Sequence, residues 1–162
     1  MTPTVKQLID LWGLEPMGTE NVLFTQNYLS EETLNCGHPK YTGIVALLSN
    51  SPDSFSDMHK LSNDEMWHFY LGDTLEILLL YPDGKDELVL MGQDVLNGEK
   101  LQFVVPAGVW MGARVRPGGE YSVFGNTMAP GFLQSDFEVG KADVLSKQWP
   151  QRELLIRSLS RE

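Results

Sequence analysis

His59-Lys60-Leu61-Ser62-Asn63-Asp64-Glu65-Met66-Trp67-His68-Phe69-Tyr70-Leu71-Gly72 governs any reading of this chain, because it carries two of its three histidines in what reads as a turn followed by a strand. Successive side chains of a strand point to opposite faces. Glu65, Trp67, Phe69 and Leu71 therefore share one face, and Met66, His68 and Tyr70 share the other.

Outward from this run the texture stays β-like. Strands are expected at Val22–Tyr28, Tyr41–Leu48, Phe55–His59, Glu65–Leu71, Thr74–Tyr81, Glu87–Met91, Leu101–Val105, Val109–Val115 and Tyr121–Met128. Turn signals separate them: Ser51-Pro52-Asp53, Gly72-Asp73, Pro82-Asp83-Gly84, Asn97-Gly98 and Pro117-Gly118-Gly119. Short strands at fairly even spacing indicate an antiparallel sandwich or barrel rather than an α/β sheet. At the N-terminus, Thr2-Pro3-Thr4 caps a short helix whose stripe is Val5, Leu8, Ile9 and Trp12, ended by Gly13. Pro150 to Leu159 reads as a second helix, with Leu154, Leu155 and Leu159 on one side.

Composition excludes several functions. The net charge of −10, from 22 acidic and 12 basic residues, leaves no basic stripe for a nucleic-acid polymer or an anionic membrane. Cys36 is alone, so an intrachain disulfide is impossible and a reducing compartment is expected. No apolar run reaches the length of a membrane helix and no signal-peptide pattern opens the chain, so a cytoplasmic protein is expected. Gly118-Gly119 lacks the strand, helix and lysine of a P-loop, and Ser54, Ser56 and Ser122 lack a nucleophile elbow.

The central run resembles the first signature of the cupins, in which a histidine pair precedes a glutamate and a glycine follows after six further residues. Glu65 and Gly72 hold that spacing, and His59 precedes Glu65 by a spacer one residue longer than usual. The second signature is matched loosely by Gly98 and Pro106-Ala107-Gly108, with Met111 where its histidine stands and Val115 in place of its later asparagine. The chain is more similar to an uncharacterised cupin branch that carries five blocks in order. They stand here as His59-Lys60-Leu61, Asp64-Glu65-Met66-Trp67-His68, Val105-Pro106-Ala107-Gly108-Val109-Trp110, Ala129-Pro130-Gly131-Phe132 and Asp136-Phe137-Glu138. Pro16-Met17-Gly18-Thr19-Glu20 departs from the Glu-Gly-Gly block usual near the N-terminus of that branch.

The resemblance implies an all-β fold: a double-stranded β-helix, or jelly-roll cupin barrel, with short N- and C-terminal helices. One domain over residues 1–162 is expected, its barrel about 22–138 and its helices about 3–12 and 150–159. The branch is structurally similar to metal-free deoxysugar-nucleotide epimerases, so no cofactor is expected, and the likeness carries fold more firmly than reaction. The cupin glutamate points inward, which places Glu65, Trp67, Phe69 and Leu71 on the cavity side and His68 outward. On the preceding strand Phe55, Asp57 and His59 are expected to share the inward face.

Asp57, His59 and Glu65, walled by Trp67 and Trp110, thus form the expected pocket mouth, with Met111 also on the ligand side although it reads as packing filler. Three uses of the cluster stand open. His59, held by a carboxylate, is suited to move a proton beside a carbonyl, as sugar isomerases and epimerases do, with Glu65 as partner and Tyr121 or Tyr81 returning a proton. Asp57, His59 and Glu65 are the metal set if a metal is held, an oxygen-rich one favouring manganese or magnesium. Alternatively, a hydrogen-bonded His59–Glu65 pair lines a metabolite-binding or sensing cavity without chemistry. The expected ligand is a small polar metabolite, sugar or nucleotide-like. A homodimer is expected through the outward Met66 and Tyr70.

Overall fold

The structure is a computed structural model that describes residues 2–18 and 20–161; Thr19, within the divergent Pro16–Glu20 segment, lies outside the described residues. Helix α1 (Val5–Trp12) starts at Thr4, whose hydroxyl accepts from the Gln7 N–H while the Gln7 side chain accepts from the Thr4 N–H. This reciprocal cap satisfies two otherwise free donors. Gly13, at φ 59°, ends the helix in a left-handed conformation that favours glycine. Val5 and Leu8 are buried against Leu14, Leu47, Tyr121 and Val123.

The strands in chain order are β1 (Glu15–Pro16), β2 (Leu23–Leu29), β3 (Thr42–Asn50), β4 (Asp53–Ser54), β5 (Ser56–Leu61) and β6 (Glu65–Gly72). They continue as β7 (Leu75–Leu80), β8 (Asp86–Met91), β9 (Gln102–Val105), β10 (Trp110–Val115), β11 (Tyr121–Met128) and β12 (Phe137–Val139). Helices α2 (Ala142–Gln148) and α3 (Glu153–Ser158) follow. Each strand expected from the sequence is present, with small shifts at the ends. Strands β1, β4 and β12 are too short to show alternation, and α2 went unforeseen.

Two antiparallel sheets form the jelly roll. One runs β1-β2-β3-β11-β6-β9, with β4 on β3, and the other β12-β5-β10-β7-β8. Gly72 turns the chain between β6 and β7 at φ 103°, and any Cβ there would strike the Tyr121 carbonyl. Strand β7 is buried on both faces. Leu75, Ile77 and Leu79 enter the barrel core with Val89, Met91 and Ala113, while Leu78 and Leu80 meet Leu145, Trp149, Ile156 and Leu159. The C-terminal stripe is therefore Ile156 and Leu159, and Leu154, expected on that face, is exposed. The segment opens as the 3-10 turn Pro150–Arg152, whose tighter winding rotates the following residues. Among the described residues no helix is long and apolar enough to cross a membrane.

Candidate functional site

A cavity of about 400 Å³ opens between the sheets, within the range of roughly 300–1,000 Å³ typical of small-molecule sites. Strands β2, β3, β5, β6 and β11 supply its walls, and Met17, Gly18, Phe132 and Gln134 reach it from loops. The walls are mostly apolar. Trp67 stacks on Phe124 with ring centroids 4.8 Å apart and planes 7° apart, and His59 stacks on Phe137 at 4.8 Å and 17°.

Of the residues expected here, His59, Glu65 and Trp67 line the cavity. The His59 ring is buried, with Nδ1 2.7 Å from the Asp57 carbonyl oxygen and 3.5 Å from Glu20 Oε2. A carbonyl can only accept, so the Nδ1 proton is donated to it and Nε2 is left as the basic nitrogen. Glu65 is not hydrogen-bonded to His59 in the arrangement expected: its Oε2 is buried with no partner among the described residues. Burial pushes the Glu65 carboxyl up to about 7; His59 opposes that rise, Glu20 adds to it, and the Trp67 indole N–H favours the ionised form without reaching hydrogen-bond geometry.

Four expected residues lie elsewhere, each for a geometric reason. Asp57 is turned away by a β-bulge: Met111 pairs with His59 but Ala113 with Ser56, so β5 carries one residue more than β10 opposite it. The bulge puts Ser56 rather than Asp57 on the face of His59. Asp57 instead accepts from the Asn21 N–H at 2.8 Å and the Arg161 N–H at 3.1 Å, and pairs with the Arg161 guanidinium at 3.1 Å. Trp110 lies on the outer face of β10, beside the C-terminal helices and beneath Lys60 Nζ at 4.5 Å from its ring centre. Met111 points inward but into the solid core, opposite Leu79. Tyr121 shares its face with Val123 and is buried under α1.

Tyr81 donates to Glu87 at 3.1 Å and does not line the cavity. Leu71 is also displaced, since a register shift at Tyr70 sends it to the α1 side. The expected metal set Asp57, His59 and Glu65 is broken by the bulge. Among the described residues, no group of three or more His, Cys, Asp or Glu is arranged to hold a metal ion.

Glu20, Ser56 and Asn126 were missed by sequence reasoning. Ser56 Oγ donates to Glu20 Oε2 at 2.6 Å, which fixes that carboxylate beside His59. The one sequence trace of Glu20 is its place in the Pro16–Glu20 segment. Asn126 alternates with Phe124 and Met128 on β11, so placing Phe124 inward would have found it.

The rim is tied by side chains. Thr42 Oγ1 accepts from the Phe132 N–H at 2.9 Å, and Asp136 accepts from Ser62 Oγ at 2.9 Å and lies 3.1 Å from His38 Nε2. Gly131 passes so close to Thr42 and Pro39 that a Cβ would meet Thr42 Cγ2 at 2.8 Å. His68, outside, bonds Thr127 Oγ1 at 2.9 Å, and burial lowers its pKa.

With this geometry in view, the chain matches the family described as "Cupin superfamily (DUF985)" over residues 6–140. A protein of Shewanella oneidensis is 30% identical, with a TM-score of 0.90 over 99% of each chain. A hypothetical protein from Leishmania major is 28% identical, with a TM-score of 0.89 over 99% of this chain and 100% of that one. An uncharacterized protein of Saccharomyces cerevisiae is 34% identical over 92 residues, covering 54% of this chain and 44% of the yeast protein. The match to that curated relative thus spans less than half of its length.

Proposed function

The chain belongs to the cupin superfamily, and from that premise we propose that its barrel cavity binds a small polar metabolite and moves a proton on it, with His59 as base and Glu65 as acid. The observation that carries this reading is the contrast between the two groups inside one hollow. His59 is held with Nδ1 donating to the Asp57 carbonyl, so Nε2 is the nitrogen able to accept a proton. The Glu65 carboxyl, raised to about 7, is substantially protonated near neutral pH and is able to donate.

The step is proton removal beside a carbonyl, as in carbohydrate isomerisation or epimerisation. Nε2 of His59 takes the proton on the carbon next to the carbonyl, Glu65 gives its proton to the carbonyl oxygen, and an enol forms. Return of a proton to carbon and of the hydroxyl proton to Glu65 completes the cycle. The mostly apolar walls with a few polar groups are of the kind that hold small molecules.

Incubation with free aldoses and ketoses in deuterated water, read by NMR, tests the reading. Deuterium is expected at the carbon beside the carbonyl, falling by about 100-fold or more in His59→Asn and in Glu65→Gln. Sugar binding by the unmodified protein without any deuterium uptake would make this a binding module rather than an enzyme.

A further inference from the structure

Among the described residues, three buried polar atoms of cavity-lining residues have no partner: Glu65 Oε2, Trp67 Nε1 and Asn126 Nδ2. Trp67 and Asn126 are directly opposite each other across β6 and β11, and Glu65 is the next residue along on the same face of β6. The three residues therefore form one patch. Buried donors and acceptors in folded proteins are nearly always satisfied, and a patch of unsatisfied ones in a hollow is explained by a ligand that satisfies them.

The patch has a definite chemistry. Trp67 Nε1–H and an Asn126 Nδ2–H can only donate, so a ligand group that reaches either of them must accept. Glu65 can donate to the same atom when protonated. The charges around it are equally definite: among the described residues, the ionisable groups on the wall are Glu20, His59 and Glu65, two carboxyls facing one imidazole. Among the described residues no arginine or lysine lines the cavity, and several are engaged outside it. Lys60 lies on Trp110, Arg161 on Asp57, and Arg114 and Arg116 on Glu76. Phosphate sites depend on such cations or on helix N-termini, and a phosphate here would meet two carboxyls instead.

Resting on the cavity reading above, we infer that the ligand is an uncharged carbonyl compound without phosphate, its oxygen held by Trp67 Nε1 and Asn126 Nδ2. The nucleotide-like ligand considered from the sequence is thereby set aside in favour of a free carbonyl metabolite of monosaccharide type. In the proton-transfer step the same two donors face the oxygen on which negative charge builds, a placement that favours the enol over the ketone.

The experiment uses matched pairs of probes: D-ribose, D-fructose and D-xylulose, each beside its phosphate ester, followed by thermal shift and by NMR of the ligand with the whole chain. At least one uncharged sugar is expected to bind and to bind more tightly than its ester. Trp67→Phe removes the N–H together with one of the two fused rings, and Asn126→Leu replaces the amide by methyl groups of similar shape; each is expected to weaken that sugar by roughly tenfold. Because Trp67 is buried, the Asn126 variant and the melting temperature of both variants separate lost binding from lost folding.

Preference for the phosphate esters would overturn this ligand class while leaving the cavity reading standing. Unchanged affinity in both folded variants would overturn the oxygen site. Binding of no probe of either kind would overturn the cavity reading and this inference with it.

Discussion

Glu65 and Glu76 are both carboxylates at 9% exposure in one barrel, yet they sit in opposite circumstances. Glu76 belongs to the filled half: Arg114 Nε lies 3.1 Å from its Oε2 and Arg116 Nε 3.8 Å from its Oε1. Glu65 belongs to the hollow half, where among the described residues no arginine or lysine lines the wall and one of its oxygens is unpartnered. Around Glu76, β7 packs leucines on both faces, and around Glu65 the side chains stop short of each other. Burial alone therefore does not mark a functional carboxylate. Burial without a partner, next to open space, is the feature on which the proposed role of Glu65 rests.

The largest effect expected of a break in this contrast is in the filled half. Leu79→Ala removes a fully packed side chain and should cost about 2–5 kcal/mol, a fall in melting temperature of roughly 10 °C. Ile44→Ala on the cavity wall should cost less than half as much, because its neighbours already leave space; equal losses would mean that the cavity is not open in solution.

Next comes Glu65→Gln. A carboxyl whose folded pKa is raised from 4.5 to about 7 contributes stability that is whole below the unfolded value and is lost as pH rises through about 7. Glutamine stands in for the protonated acid. The variant should match the parent at pH 4 and exceed it by about 3 kcal/mol at pH 9, seen as a melting point higher by roughly 6–12 °C. A parent with a flat pH profile would show that Glu65 is solvated or paired.

A smaller effect is expected at Glu76. Arg114→Met leaves the carboxylate with Arg116 alone, and since Arg114 is one-third exposed the loss should be only about 1–2 kcal/mol by denaturant titration. In a Glu76→Gln background the same change should be nearly neutral, which isolates the pair.

The smallest effect is at the rim. Hydrogen bonding to Asp136 raises the pKa of His38; burial pushes Asp136 up, but the bonds from His38, the Leu133 N–H and Ser62 outweigh it and leave its pKa lowered. The His38 contribution is whole below its ordinary value and lost as pH rises through the raised one. The Asp136 contribution is whole above the ordinary carboxylate value and lost as pH falls through the lowered one. His38→Asn should therefore destabilise most at about pH 5–6 and less on either side, in denaturant titrations across pH.

Strand positions, turn positions and both terminal helices were legible in the sequence because each follows from a few neighbouring residues: alternation along β6, Gly72 at its end, and the Thr4 cap of α1. His59, Glu65 and Trp67 were legible as cavity residues through the cupin resemblance and strand parity. Parity failed wherever a strand carries an extra residue. The bulge in β5 exchanged Ser56 for Asp57, and the one at Tyr70 sent Leu71 outward. Trp110 was misplaced for a simpler reason, since alternation assigns it to a face but does not say which face is inside.

What the sequence by itself determined is thus an acidic jelly roll with a histidine and a glutamate on facing strands. Only the tertiary structure decided that Glu20 arrives from a loop to stand against His59, that Asp57 turns to Arg161, and that Asn126 meets Trp67 across the sheet. The physical reason is that a strand's period is local, whereas a cavity is the space left when residues far apart in the chain fail to fill one volume, and that remainder depends on every register shift and loop around it.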